Sequence, residues 1–149
     1  MAPLKGRATG IIDSKGRVSL PAKYRRLLPE DLVVTKSPDD RFPALVIYSS
    51  DDFENWMDAV LASKGGYRAT SRNHDNVINK YYEDAEDVKI DGVGRILIPA
   101  ELREYAGIEK DVVFSGARDR LIIRSTDIWL EYQKVLETVT AYDDSIAQV

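Results

Sequence analysis

Apolar residues recur along this chain with two periodicities, one typical of strands and one typical of helices. In the first half, short runs rich in β-branched residues predict four strands, at 7–13, 18–20, 32–36 and 44–48. The Ser-Lys-Gly-Arg sequence between the first two runs predicts a tight hairpin, and Pro21 suits the first position of a short helix after them. An amphipathic helix follows, with apolar residues at helical spacing: Phe53, Trp56, Met57, Val60 and Leu61.

The second half repeats this order after a polar stretch. Strands are predicted up to Asp91 and then at 95–98, 112–115 and 121–124. A short helix is predicted from Pro99 to the glycine at 107, and a final helix from about residue 127. Residues 77–88 predict a helix with an acidic flank that joins the halves. The order β-β-α-β-β-α therefore occurs twice, which predicts an α+β protein.

A motif at the start of each half shows that the two halves are copies. Residues 12–25 read IDSKGRVSLPAKYR, and residues 90–103 read IDGVGRILIPAELR, at a constant offset of 78. A single half has short strands, exposed edges and little apolar area to bury, so we expect the two copies to share one core. We place the first repeat at 5–64, a bridging segment at 65–86 and the second repeat at 87–140.

Composition and charge narrow the possible functions. The 149 residues include no cysteine, which excludes disulfides, thiolate nucleophiles and cysteine-based zinc sites. No apolar run approaches the ~18 residues that cross a bilayer, so we expect a cytoplasmic protein. The formal net charge is −4, yet residues 1–28 hold seven basic residues and one acidic residue, whereas 29–149 hold 14 basic and 24 acidic. One basic end on an acidic body allows a polyanion to bind there.

No pattern in the chain points to catalysis or to a bound metal or cofactor. His74 is the only histidine and has no second ligand at metal-binding spacing, so a solvated residue is the simpler interpretation. The acidic run at 83–87 lacks the glycine and ligand alternation of a calcium loop. We therefore predict a protein that is not an enzyme and that needs no cofactor and no metal.

The Asp-x-x-Gly-Arg turn is the candidate for chemistry. Asp13 can accept hydrogen bonds from backbone N–H groups ahead of it, and Gly16 can adopt the positive φ of a tight turn. Asp91 and Gly94 can do the same in the second copy. The arginine after each glycine can pair with its own aspartate, which is a structural interpretation. Alternatively, its guanidinium can offer paired donors to phosphate or to the O6/N7 edge of guanine. Because both copies keep the arginine, the second interpretation is favoured.

The segments DSKGRVSLPAKYR and DGVGRILIPAELREYAGI resemble the two AbrB-type (SpoVT/MazE-like) repeats of the MraZ family. This resemblance covers nearly the whole chain. It implies that the two repeats interlock through swapped β-hairpins into an AbrB-like barrel with peripheral helices, and that protomers form a homo-oligomeric ring. It also implies sequence-specific binding to short G-rich direct repeats in double-stranded promoter DNA. Repression of a division and cell-wall operon, at the nucleoid, is the expected outcome.

The resemblance assigns Arg17 and Arg95 as candidate DNA contacts. Because the first repeat carries the excess positive charge, we predict that Arg17 contributes more than Arg95. The other candidates share a basic charge near the first turn and would hold phosphates: Lys15, Lys5, Arg7 and Lys23. Arg25 and Arg103 are either structural, pairing with acids of the other half, or DNA-binding. The alternative function is an antitoxin-like or other protein-interaction module of the AbrB fold, whose mark would be a long C-terminal arm.

Overall fold

A computed structural model describes residues 2–38, 41–62 and 72–142, and these contain eight strands and five helices. The strands are β1 Arg7–Ile11, β2 Arg17–Ser19, β3 Asp31–Lys36, β4 Leu45–Ser49, β5 Glu86–Lys89, β6 Arg95–Leu97, β7 Asp111–Gly116 and β8 Leu121–Ser125. The helices are α1 Ala22–Arg25, α2 Ser50–Ala62, α3 Arg72–Glu83, α4 Ala100–Ala106 and α5 Thr126–Tyr142. The predicted α+β class is confirmed.

The strands form one six-stranded sheet and one two-stranded ribbon, and all pairings are antiparallel. The sheet has the order β1-β7-β8-β4-β3-β5, so the first strand of each half pairs with a strand of the other half. β2 pairs with β6 to form the ribbon. Every one of these contacts between the halves joins residues that are far apart in the sequence.

The predicted tight hairpin between the first two strands is wrong in its strand pairing, although its turn is present. β1 pairs along its length with β7, and a single β-bridge, between Ile12 and Val18, joins the segments next to the turn. β2 is three residues long and gains more by pairing with β6, because this places Val18 and Ile96 opposite each other in the interior, each 1% exposed. Local turn chemistry is therefore preserved while the strands on either side diverge.

A large cluster of buried apolar residues draws on both halves. It includes Val18 and Ile96 of the ribbon, Tyr24 and Leu102 of the short helices, and Phe114 of the sheet. Each of these five side chains is at most 3% exposed. Burying such side chains stabilises the fold by roughly 1.5–3 kcal/mol each, so the short helices are held by packing.

The two short helices begin without a side-chain cap. Each follows a proline, and no side-chain hydrogen bond satisfies the first turn of either. α1 is anchored instead by the Tyr24 hydroxyl, which donates to the Gly6 carbonyl at 2.7 Å. α4 ends at Gly107 in the left-handed conformation, with φ of +64°, and buries Ile108 beside it, as predicted.

A second cluster holds α2 and α3 on the outer face of the sheet. The predicted amphipathic face is confirmed, because Phe53, Met57 and Leu61 are buried. Trp56 stacks on Tyr48 and meets Tyr81 of α3 edge-on at 4.9 Å between ring centroids. The helix predicted at 77–88 is wrong at its C-terminal end, because Glu86–Lys89 forms strand β5 at the sheet edge, paired with β3.

Candidate nucleic-acid interface

The first turn is built around the carboxylate of Asp13. Its Oδ1 accepts hydrogen bonds from the backbone N–H groups of Lys15 and Arg17, both at 2.9 Å. The Gly16 N–H donates to the Asp13 carbonyl at 3.0 Å, and Gly16 has a φ of +91°. A side chain at position 16 would be strained at this φ, so the glycine and the aspartate together fix the turn.

The second turn has the same arrangement. Asp91 Oδ1 accepts from the backbone N–H of Val93 at 3.0 Å and from that of Arg95 at 2.9 Å. Gly94 has a φ of +85°, and its N–H donates to the Asp91 carbonyl at 3.0 Å. The duplicated motif therefore encodes duplicated geometry.

Each turn holds its arginine by one nitrogen. Arg17 Nε donates to Asp13 Oδ2 at 2.9 Å, and Arg95 Nε donates to Asp91 Oδ2 at 3.0 Å. The structural interpretation, in which arginine pairs with its own aspartate, is thus confirmed at this nitrogen. Both arginine side chains are still 35% exposed. Within residues 2–38, 41–62 and 72–142, neither guanidinium has a partner at Nη1 or Nη2, so the forked end is available to a ligand.

The same contacts keep the aspartates ionised. The pKa of Asp13 is lowered below its usual 3.8, mainly by the backbone N–H of Arg17, with the Arg17 side chain and the Lys15 N–H adding to the effect. The pKa of Asp91 is lowered in the same way, mainly by the backbone N–H of Arg95. At neutral pH both carboxylates therefore hold their arginines by charge-assisted hydrogen bonds.

The ribbon places both arginines on one face. Arg17 lies opposite Leu97, and Ser19 lies opposite Arg95. Because side chains alternate along a strand and the central pair is buried, these four side chains share the outer face. Arg17 and Arg95 are diagonal neighbours on it, with Cα atoms about 7–8 Å apart. Two forked donor groups are therefore presented side by side.

Each turn also lies against the other repeat. The Ile98 N–H donates to the Gly16 carbonyl, and the Leu20 N–H donates to the Gly94 carbonyl, both at 2.9 Å. Each glycine thus joins its turn to the end of the opposite ribbon strand. The two turns therefore occupy opposite ends of the ribbon.

Arg25 and Arg103 complete these turns across the repeats. Arg103 Nε donates to the Ile98 carbonyl at 3.0 Å. The guanidinium of Arg103 lies so close to Gly16 that a Cβ added there would be 2.8 Å from its Nε and Cζ atoms. Arg25 lies in the same way over Gly94, with Nη1 3.5 Å from the Val93 carbonyl. Neither arginine forms an ion pair with a carboxylate of the described residues. Their contacts are to backbone atoms, and four guanidinium groups collect around one ribbon.

Three of the other predicted basic residues form a separate group around α1, which contains one of them, Lys23. Lys23 Nζ donates to the Arg7 carbonyl at 2.7 Å, and the Arg7 guanidinium lies over the Trp129 ring at 5.0 Å from its centroid. Lys5 is exposed next to these residues, whereas Lys15 is exposed at the first turn itself. The structure therefore brings Lys5, Arg7 and Lys23 together, but on the flank of α1 rather than on the ribbon face.

Interlocking changes the charge around each turn in a way that the sequence conceals. α1 contacts the second turn through Arg25, whereas α4, which also carries the exposed residues Glu101 and Glu104, contacts the first turn through Arg103. The basic helix of the first repeat thus supports Arg95. A count of charges along the sequence assigns this helix to Arg17, because the sequence carries no signal of which turn it will reach.

Two exposed apolar residues near the arginines did not stand out in the sequence. Val93, at the tip of the second turn, is 64% exposed, and Leu97, on the ribbon face, is 55% exposed. Leu97 lies in the continuous apolar run Ile96-Leu97-Ile98, and Val93 lies between two glycines of a turn, so neither position shows from the sequence pattern which side chains are exposed. The available signal is the mismatch between copies, since Leu97 stands where the first copy has Ser19.

No group of three or more metal-ligating side chains occurs among the described residues. His74 lies within α3, and its side chain is outside the described part. Of the helices in the described ranges, none is both long and apolar enough to cross a bilayer.

A family model and the similar proteins reported below all point to one family. A family model described as MraZ protein, with the added term antitoxin-like, matches residues 5–73 and 82–145. Transcriptional regulator MraZ of Caldanaerobacter subterraneus subsp. tengcongensis is 40% identical over 134 residues, which cover 88% of this chain and 87% of that protein. The protein of the same name from Thermoanaerobacter sp. (strain X514) is 40% identical over 129 residues, covering 87% and 85%. That from Acetivibrio thermocellus is 36% identical over 121 residues, covering 81% and 80%.

These relatives carry the name of a regulator and not of an enzyme, in agreement with the prediction that the chain has no catalytic role. The matched segments include both turns, both ribbon strands and the four guanidinium groups around them. At this identity and coverage, the chain belongs to the MraZ family.

Proposed function

We propose that this protein is a sequence-specific DNA-binding transcription regulator that inserts the β2–β6 ribbon into the major groove of promoter DNA. One observation carries the proposal: two arginines, each anchored at Nε by its own turn, present their forked ends on the same face. The major groove of B-DNA admits a two-stranded β-ribbon, and a bidentate arginine–guanine pair is its commonest specific contact.

The anchored nitrogen explains how the arginines would read bases. With Nε held by aspartate, Nη1 and Nη2 remain to donate to O6 and N7 of guanine, in a plane set before DNA arrives. Little rotamer freedom is then lost on binding, and each pair contributes roughly 1–3 kcal/mol of discrimination. Asp13, Gly16, Asp91 and Gly94 would act by shaping the turns.

Phosphate contacts would come from the basic residues around the ribbon. Lys15 stands at the first turn, Lys23 lies on α1, and Lys5 and Arg7 lie near Lys23. Arg25 and Arg103, which border the two turns, are placed to add positive potential at both ends of the ribbon. Because the whole chain has a net charge of −4, this local concentration of cations must overcome the repulsion between the acidic body and DNA.

Selection of a site in a genome requires more than one ribbon. We infer that the strand exchange between repeats is the swapped-hairpin, barrel-like arrangement of AbrB-type folds, and that protomers assemble into a homo-oligomeric ring. A ring offers several identical ribbons to short G-rich direct repeats, so that later contacts become intramolecular. Repression of the chain's own division and cell-wall operon, in the cytoplasm at the nucleoid, would be the outcome.

The test is to titrate DNA from upstream of the protein's own gene with the protein and to measure binding by fluorescence anisotropy. Arg17→Ala and Arg95→Ala should each abolish specific binding while leaving the circular dichroism spectrum unchanged, because both side chains project from the ribbon. Arg120→Ala is the matched control, since Arg120 Nε also pairs with an aspartate, Asp119, at 2.9 Å, but in the loop between β7 and β8. Wild-type affinity in both ribbon variants would refute the proposal.

A further inference from the structure

The ribbon face carries one side chain that the arginine chemistry leaves unexplained. Leu97 is 55% exposed and lies directly opposite Arg17 in the β2–β6 pair. The central residues of the ribbon, Val18 and Ile96, supply its buried face at 1% exposure each. Leu97 therefore contributes little to the core, and its apolar surface is offered to whatever meets Arg17.

The surroundings of Leu97 restrict what can cover it. Arg17 is its cross-strand neighbour, with Cβ atoms about 4.5–5.5 Å apart, and Arg95 lies two residues before it on the same strand. An apolar protein surface laid over Leu97 would also have to desolvate these guanidinium groups without pairing them, which is unfavourable. A polyanion with an apolar spot of its own avoids that penalty.

DNA has such a spot in the groove that admits the ribbon. The C5-methyl group of thymine is the apolar feature of a base edge in the major groove, and small apolar side chains recognise it by contact. We propose that Leu97 is a specificity-determining residue that packs on the methyl group of a thymine beside the guanine read by Arg17. This inference rests on the proposed DNA-binding function and specifies part of its target.

The other end of the ribbon lacks this feature. Ser19 occupies the equivalent position of the first copy and lies opposite Arg95. Its hydroxyl can accept or donate and so tolerates several bases. Although the ribbon backbone is nearly symmetric, its two ends would thus recognise different bases, with a thymine required beside Arg17 and none required beside Arg95. Such a ribbon would distinguish the two directions along DNA.

The test replaces each thymine of the bound promoter fragment, one at a time, with deoxyuridine, which removes the methyl group alone. Wild-type protein should bind the fragment about threefold to fivefold more weakly when the critical thymine is changed, the effect of one buried methyl group. Leu97→Ser, which copies the first repeat, should bind thymine and deoxyuridine fragments equally. Ser19→Leu should gain a second sensitive position next to the guanine assigned to Arg95.

Leu130→Ser is the matched control, because Leu130 is also exposed, at 48%, but lies on α5. It should keep the wild-type response to deoxyuridine. Equal binding of wild-type protein to every substituted fragment, with Arg17-dependent binding intact, would overturn the role of Leu97 and leave the proposed function standing. A change of oligomer mass in Leu97→Ser, with the deoxyuridine response retained, would assign Leu97 to a protein contact instead. Absence of all specific binding by wild-type protein would overturn both proposals.

Discussion

The turn glycines offer a sharp test of how the ribbon is held. Gly94 has a φ of +85°, and a Cβ there would collide with the guanidinium of Arg25. Gly92, two residues earlier in the same turn, lacks a positive φ, and a Cβ there would meet nothing within 4 Å. Gly94→Ala and Gly92→Ala therefore make the same chemical change in one turn, with opposite expected results.

The expected cost for Gly94→Ala follows from its backbone. An L-residue in the left-handed region costs roughly 1–2 kcal/mol. The collision adds less, because the guanidinium of Arg25 is the far end of a flexible side chain that can move aside. For a chain of this size, about 1–2 kcal/mol lowers the melting temperature by roughly 2–8 °C. Gly92→Ala should leave it unchanged or raise it slightly, since alanine restricts the unfolded chain.

Urea denaturation of both variants, each also made in an Arg25→Ala background, separates the two contributions. If backbone strain dominates, Gly94→Ala should lose nearly the same free energy of unfolding with and without the Arg25 side chain. If the collision dominates, the loss should disappear in the double variant. Equal stability of Gly94→Ala and Gly92→Ala would refute the reasoning, because it would show that the positive φ imposes no constraint on the turn.

Three further predictions concern the interface. The charge along the sequence predicts that Arg17→Ala loses more DNA affinity than Arg95→Ala. The matched anchoring of the two arginines and the contact of α1 with the second turn predict losses of similar size. Anisotropy titrations of both variants distinguish these two predictions. The affinity for DNA should fall steeply with salt, and Lys15→Ala should reduce the slope of log K against log salt by about 0.9 if Lys15 neutralises one phosphate. The pKa values of Asp13 and Asp91 are lowered, so their contribution to stability is present above 3.8 and is lost as pH falls through the lower folded values. Carbon NMR titration of the two carboxyl groups should give midpoints below 3.8, and a midpoint at or above 3.8 for either would contradict the hydrogen-bond network.

Local features of this fold could be predicted from the sequence because neighbouring residues determine them. Asp13 and Gly16 predict the first turn through hydrogen bonds that span two to four residues. Gly107 ends α4 for a similarly local reason. The duplicated motif also predicts that the second turn has the same geometry, since the same side chains recur at the same spacing.

Partner choice between strands could not be predicted in this way. The periodicity of β2 predicts a half-buried strand but does not specify that its partner is β6, which lies 78 residues away in the other copy. The acidic residues Glu86 and Asp87 indicate a helix flank by composition, yet they lie in an edge strand in which Val88 is the buried residue. In both cases contacts remote in the chain outweigh the local preference.

In the candidate site, too, features set by neighbouring residues could be predicted, whereas features set by contacts between the two halves could not. The turn geometry around Asp13, Arg17, Asp91 and Arg95 could be predicted, because each turn is held by hydrogen bonds between residues at most four apart. The positions of Arg25 and Arg103 over the glycines of the opposite repeat were not, because they depend on how the two halves interlock. The grouping of Lys5, Arg7 and Lys23 beside α1 likewise depends on the packing of Tyr24 against the amino-terminal segment.

The exchange of strands between the two copies makes this single chain the topological equivalent of a dimer whose subunits have been joined end to end. In a true dimer of identical subunits, any substitution appears on both sides of the twofold axis. Here one side can change alone, and serine at 19, where the other copy has leucine at 97, is such a change. Because both copies lie in one chain, their sequences can diverge while the two halves remain interlocked. A nearly symmetric fold can therefore present two different ends.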